Sequence, residues 1–270
     1  MSVFVAEELS EVLNTKVVIG RINMGLLNRI IIDDVLLDDQ SGQEMLKVTR
    51  LSAKFDIMPF FKGKISISSV QLFGFNINLR KETPDSPPNF KFVLDAFASK
   101  DTVKKENSLD LRINSILIRR GRMSYHVLSE EETPGKFNAK HIQLQNIIAN
   151  ISLKALSKDS LNLGIKRLSL DEKASGFSLK KMSLKLVANN KQTNIDNFTI
   201  ELPETSLKLD TIHLEYDSLK AFDRFTEQVH FSFRTLPSQV TLKDISPFVP
   251  ILSHFKEPVT LDMEVKGTVD

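Results

Sequence analysis

No cysteine occurs in this chain, which excludes a disulfide framework, a thiolate zinc site and a cysteine nucleophile. Glycine and proline are scarce, at 10 each, while apolar residues make up 41%, so disorder is not expected and a substantial core can form. Long apolar runs are missing too. Stretches such as "IMPFF" (57–61) fall far short of the roughly 18–20 residues that a spanning helix needs. No basic segment followed by an apolar run opens the chain, so no signal peptide is visible. A charge excess of either sign is also lacking. Lys and Arg number 36 against 34 Asp and Glu, and a net charge of +2 leaves no footprint for nucleic acid.

The 270 residues suffice for one large domain or two small ones. Their most regular feature is an eight-residue pattern, apolar-x-apolar-x-x-apolar-x-apolar. Six strict copies occur: "LKVTRLSA" (46–53), "ISISSVQL" (65–72), "FNAKHIQL" (137–144), "LGIKRLSL" (163–170), "FSLKKMSL" (177–184) and "LKLDTIHL" (207–214). At this apolar content chance supplies about one. Looser copies are "VVIGRINM" (17–24), "IIIDDVLL" (30–37) and "LRINSILI" (111–118).

A helix does not account for the pattern. At about 100° per residue its apolar positions would point to two opposite faces. A strand puts the first apolar pair on one face, and the second pair stays there only if one extra residue is absorbed between them. A β-bulge, a bend or a strand end absorbs it. Such slips are expected at Ser68–Ser69, Asn114–Ser115, Lys166–Arg167 and Asp210–Thr211.

Turn-forming stretches separate the copies: "DDQSGQE" (38–44), "ETPDSPPN" (82–89), "EETPGK" (131–136), "DEKASG" (171–176) and "VANNKQTN" (187–194). Helices are few. One is expected over 3–14, with Val5, Leu9, Val12 and Leu13 on its apolar stripe, and a short one over 90–98. A third is expected over 217–229, capped by Asp217 or Ser218, and a proline-broken one over 244–255. The polar stretch "SKDTVKKENS" (99–108) reads as a linker. The expected fold is mainly β: an elongated, curled antiparallel sheet with a few short helices, including one at the N-terminus. Such a sheet must bury its apolar face in a sandwich, a barrel or a trough.

Catalytic and metal signatures are absent. His126, His141, His213, His230 and His254 form no HxH or HExxH spacing, so no metal site is expected. Asp33, Asp34, Asp38 and Asp39 near Gly42 and Glu44 lack the spacing of a calcium loop and read as a hairpin turn. Arg119, Arg120 and Arg122 in "IRRGRMSY" (118–125) read as a solvated hairpin end rather than a phosphate or headgroup contact. No P-loop, GxGxxG or GxSxG occurs, so neither an enzyme nor a cofactor is expected.

Several stretches resemble the TamB and wider AsmA-like family of bacterial envelope proteins. They are residues 7–72, with the steps Val17 to Ile22, Ile32 to Leu46 and Phe61 to Leu72, then "PNFKFVLDAF" (88–97) and "LRINSILIRRGRMSY" (111–125). "LSLDEKASGFSLKKMSLKL" (168–186) and "QVTLKDISPFVPIL" (239–252) continue the likeness. The resemblance implies a taco-like β-trough over 1–270: an N-terminal helix and first strands over 1–82, a helix and polar linker over 83–109, and a continuing sheet over 110–270. It implies a periplasmic segment of a protein anchored in the inner membrane, with phospholipid acyl chains as partners. An outer-membrane barrel protein would be met through a C-terminal part outside this chain. The chain then reads as the N-terminal fraction of a longer protein, and its last strands, around Val259 to Val265, are expected to form an exposed edge. The alternative is a scaffolding β-protein of the envelope with a closed apolar core, assisting outer-membrane protein assembly. The lipid-groove candidates are Ile65, Ile67, Leu163, Ile165, Phe177, Leu179, Leu207 and Leu209.

Overall fold

A computed structural model describes residues 2–55, 67–98, 114–156 and 160–268. The fold is mainly β, with one sheet of 14 strands that is not closed and a few short helices. The chain divides into two compact units, Met1–Ile148 with Glu172–Ser175, and Ala149–Asp171 with Gly176–Asp270.

In the first unit, helix α1 (Ser2–Leu13) leads into strands β1 (Val17–Gly25), β2 (Arg29–Asp38), β3 (Glu44–Phe55) and β4 (Ile67–Lys81). Each pairs antiparallel with the next. Helix α2 (Lys91–Ala98) follows, then β5 (Ser115–Val127) and β6, which begins at His141 and runs to Leu156. Strands β4 and β5 pair in parallel, a departure from the expected antiparallel sheet. The cause is the connection. Thirty-odd residues bearing a helix separate the two strands, and a crossover of that length returns the chain in the same direction.

One buried cluster of this unit lies where α1 meets the sheet. Ala6 and Leu13 pack with Val17, Ile19, Leu37 and Met45, with Phe90, Phe92, Val93 and Ala96 around them. The helix presents part of the expected stripe, with Leu13 in the core and Val5 packed against it. Ala6 and Leu13 are buried, whereas Leu9 and Val12 are 37% and 50% exposed. Ser10 decides the rotation: its hydroxyl donates to the Ala6 carbonyl (2.7 Å) and accepts from the Val17 amide (3.0 Å), holding that face against β1.

The acidic stretch 33–39 is resolved into a turn and an ion pair. Asp39 is buried, and its Oδ1 accepts from the Ser41 and Gln43 amides (2.9 and 3.1 Å). Its Oδ2 accepts from Arg80 (2.7 Å) and Asn89 (3.1 Å). Burial opposes ionisation here, but the hydrogen bonds from Ser41, Asn89 and Gln43 outweigh it and hold the carboxyl below its ordinary range.

The second unit holds the rest of β6 and β7 (Ser160–Glu172) as far as Asp171, then β8 (Ser178–Asn189), β9 (Gln192–Glu201), β10 (Ser206–Glu215) and β11 (His230–Thr235). From β7 to β11 each strand pairs antiparallel with the next. Between β10 and β11 a 3₁₀ turn (Leu219–Arg224) runs into the single-turn helix α3 (Phe225–Gln228), so the helix expected over 217–229 forms in two pieces. Ser218 occupies the N-cap position without a side-chain cap bond. Strands β12 (Ser238–Thr241) and β13 (Pro258–Leu261) pair with each other, and two 3₁₀ turns between them, Leu242–Ile245 and Pro250–His254, replace the proline-broken helix. Strand β14 (Glu264–Gly267) pairs with β11 and ends the strand order, which leaves it as an edge. The expected linker over 99–108 lies outside the described residues.

Candidate functional site

The slips in apolar phase take two physical forms. Along the Gly20–Asp34–Thr49–Gly74 seam of the first unit they line up across neighbouring strands and the register is kept. Ile19 pairs with Val35 and Arg21 with Asp33, while the intervening Gly20 and Asp34 drop out of the ladder. The same interruption occurs at Thr49 opposite Asp34, and at Thr49 opposite Gly74. Asp34, Gly74, Arg120 and Asn146 all sit at positive φ, between 54° and 62°. One left-handed residue turns the strand over without inserting a residue, so two consecutive side chains face outward and the next apolar one returns to the inner face. Burial along β1 follows this reading: Val17 and Ile19 are buried, Gly20 and Arg21 exposed, Ile22 half-buried.

In the second unit two slips are β-bulges, while Asn197 in β9 (φ 53°) is left-handed and drops out of the β9–β10 ladder opposite Asp210 with the register kept. Lys166 and Arg167 together oppose one residue of β8, between the pairs Ile165–Leu184 and Leu168–Met182. Asp210 and Thr211 oppose one residue of β11, between Leu209–Thr235 and Ile212–Phe233. Two expected slips fall in the first unit. Ser68 is a bulge between the pairs Lys54–Ser69 and Phe55–Ile67, and β5 starts at Ser115.

Both forms keep the apolar residues of a strand on one face. Across β1 to β5 the cross-strand row Ile22, Ile32, Leu51, Leu72 and Ile118 is wholly apolar. So is the row Val17, Leu37, Leu46, Ile77 and Met123. In the second unit the row Leu163, Leu186, Ile195, Ile212, Phe233 and Val265 crosses six strands. All six of those side chains are half-buried, and none is buried. The buried apolar residues of this unit are Ala149, Leu209, Tyr216, Ala221 and Val229, so among the described residues the row lies outside the buried set.

The sequence-predicted residues separate accordingly. Leu163 and Ile165 pair with Leu186 and Leu184, Leu179 pairs with Leu170, and Leu207 and Leu209 pair with Ile200 and Phe198, all on the apolar face of the second unit. Leu209 is buried at 9% exposure, and the others are half-buried. Phe177 precedes β8 and meets Phe248 edge-on at 5.0 Å. Ile67 belongs to the first unit, opposite Phe55. Ile65 lies outside the described residues.

The outer face at the aligned slip carries charge. Asp33 and Arg50 stand opposite each other and pair at 2.6 Å, and that hydrogen bond lowers the carboxyl pKa and raises that of the guanidinium. Arg50 and Arg119 flank Phe73 on the neighbouring strands, and the Arg120 guanidinium lies 5.2 Å from its ring centre. These arginines are therefore mid-strand, not at the hairpin end that the sequence suggested. The twist that places two consecutive residues outward puts them there.

One grouping was not legible in the sequence. The connection from β5 to β6 brings His126 and His141, fifteen residues apart, to an Nδ1–Nδ1 distance of 3.0 Å. The hairpin pairing, with the Val127 amide donating to the Lys140 carbonyl at 2.9 Å, brings them together.

The chain matches no protein-family model and no curated protein. Among the described residues no helix is long and apolar enough to cross a membrane.

Proposed function

We propose that this chain is a non-enzymatic lipid-binding segment whose apolar sheet face receives phospholipid acyl chains and gives them a path out of water. The observation that carries the reading is the six-strand row from Leu163 to Val265, apolar throughout and only half-buried. A large unburied apolar surface marks a binding site for another apolar surface. Each CH₂ taken from water contributes about 0.8 kcal/mol, so a chain of about 16 carbons gains about 12 kcal/mol before ordering costs. No specific headgroup pocket is needed. The resemblance to AsmA-like proteins supports a periplasmic setting in a protein anchored in the inner membrane, acting in phospholipid movement towards the outer membrane. It also supports a barrel partner reached by other parts of the protein.

A scaffold with a closed core is the rival reading, and the burial of Leu209 favours it at that position. For that reason Leu186, half-buried in the middle of the row, is the better probe. Leu186→Asp places a charge in the lipid path while leaving water able to reach it. The expected outcome is a variant that melts within a few degrees of the wild type and has lost the phospholipid that mass spectrometry finds in the purified wild type. A wild type free of lipid, together with a variant that fails to fold, would establish the scaffold instead.

A further inference from the structure

We infer that the hairpin joining β5 and β6 holds a site for a divalent transition-metal ion, with Zn²⁺ as the fitting ion, built from His126, His141 and Glu132. The potential ligand atoms of these three residues lie within 4.8 Å of one another. His126 Nδ1 and His141 Nδ1 are 3.0 Å apart, and His126 Nδ1 is 3.9 Å from Glu132 Oε1. Two nitrogens bound tetrahedrally at about 2.05 Å lie about 3.3 Å apart, so the histidine pair is already near its ligating separation. The Glu132 side chain, 61% exposed, has the freedom to close the remaining gap.

The hydrogen bonding around His141 points to the same use. Its Nε2 lies 2.9 Å from the Glu130 carbonyl oxygen, which can only accept, so Nε2 carries the proton. The neutral ring therefore presents the Nδ1 lone pair towards His126. A backbone carbonyl that fixes the far ring nitrogen is the usual orienting partner of a histidine ligand. In the metal-free protein His126 Nδ1–H donates to that lone pair. Metal binding requires that His126 move its proton to Nε2 and that Glu132 swing inward, after which both Nδ1 atoms face the ion.

The frame is well determined. His141 is 6% exposed, and its amide donates to the Asn138 carbonyl at 3.0 Å. Asn138 also donates from Nδ2 to the Glu131 carbonyl (3.1 Å) and accepts from the Lys140 amide (2.9 Å), which ties both ends of the loop carrying Glu132. Thr133, Asn138, Gln143 and Lys173 line the same recess as Glu132 and His141. The Glu130 carboxylate is engaged by Lys140 at 2.7 Å and is not counted as a ligand. Two imidazoles and one carboxylate, with solvent as the fourth ligand, form the mixed nitrogen–oxygen set that suits Zn²⁺ better than Mg²⁺ or Ca²⁺. The ion would staple the 128–140 connection. This inference does not depend on lipid binding.

The test is a titration of the purified chain with Zn²⁺ against a chromophoric chelator, repeated with Co²⁺ to read the visible absorption of a tetrahedral site. One equivalent is expected to bind. His126→Gln, at a half-buried position, is expected to weaken binding about 100-fold, and Glu132→Gln about 10-fold, each with an unchanged far-ultraviolet circular dichroism spectrum. His141→Ala should abolish binding, but its burial makes it the less clean variant. A wild type that binds no stoichiometric Zn²⁺ overturns the site. So does a wild type whose affinity is unchanged in both His126→Gln and Glu132→Gln, since the ion would then sit elsewhere.

Discussion

The two units meet one problem with the same two devices in different proportion. Both must keep a strand's apolar residues on one face while its alternation slips by one. The first unit does so mainly with left-handed residues at Asp34, Gly74, Arg120 and Asn146, and with one bulge at Ser68; from β1 to β4 the slips line up across neighbouring strands and the register is kept. The second relies on bulges at Lys166–Arg167 in β7 and, towards β11, at Asp210–Thr211, with a single left-handed residue at Asn197 facing Asp210 from β9. An aligned seam ties each strand to its neighbour's backbone conformation. A bulge is local and tolerates what its own residues happen to be. Left-handed positions should thus be sensitive to residue type, and bulge positions should not.

The sharpest break is expected at Gly74. Its φ is +62°, and a Cβ there would stand 2.6 Å from Thr49 Oγ1. Gly74→Val adds a β-branched side chain to a left-handed position and a clash to a paired strand. It should cost about 3 kcal/mol or more, read as the shift in a urea unfolding midpoint. A cost below about 1 kcal/mol would mean that the seam is not held as described.

Acid should separate the units next. The buried carboxylates of Asp39 and Glu172 both belong to the first unit. Burial raises the pKa of Glu172, but hydrogen bonds from Ser175, Gln143 and Ala174 outweigh it, and the group ends below its ordinary value, as Asp39 does. A folded-state pKa below the unfolded one gives stability that is complete above about pH 5 and is lost as pH falls through the folded value. Hydrogen exchange compared between pH 7 and pH 3 should show the segments around 39–43 and 141–145 losing protection before strands β8 to β10. Equal loss in the two units would remove the distinction.

The smallest effects form a matched pair. Asn146 is left-handed at φ 54°, so Asn146→Ala should cost about 1 kcal/mol, while Asn146→Gly should be close to neutral. Arg167, exposed at a bulge, should accept alanine within about 0.5 kcal/mol. Thermal melts of the three variants give the ordering directly.

The sequence carried the strand architecture because the spacing of apolar residues is itself the physical constraint. Ser68, Lys166–Arg167 and Asp210–Thr211 were located by phase alone, and each is a bulge. Phase could not reveal which slips use left-handed residues, because Asp34 and Arg120 are not glycine and nothing local marks them. The stripe of α1 held at Val5 and Leu13 and failed at Leu9 and Val12, because Ser10 binds the backbone of β1 and hydrophobicity does not register that contact. The parallel pairing of β4 with β5 was implicit in the long connection between them, but apolar alternation is the same in either direction. Of the groove candidates, Leu163, Ile165, Leu179, Leu207 and Leu209 share a face because strand periodicity places them there. The nearness of His126 and His141 depends on one hairpin closing, which residue spacing alone did not disclose.

The central claim is that the row through Leu186 is an open apolar surface that acyl chains cover. The chain has no cysteine, so Leu186→Cys accepts a single nitroxide label, with Lys185→Cys on the opposite face as the reference. Electron paramagnetic resonance accessibility to a water-soluble nickel relaxant, measured before and after adding phosphatidylglycerol vesicles, reads the surface directly. The account predicts a label at 186 that the relaxant reaches without lipid and loses contact with when lipid is added, while the label at 185 is unaffected. A label at 186 that is shielded before any lipid is present, or that remains equally accessible afterwards, would contradict it.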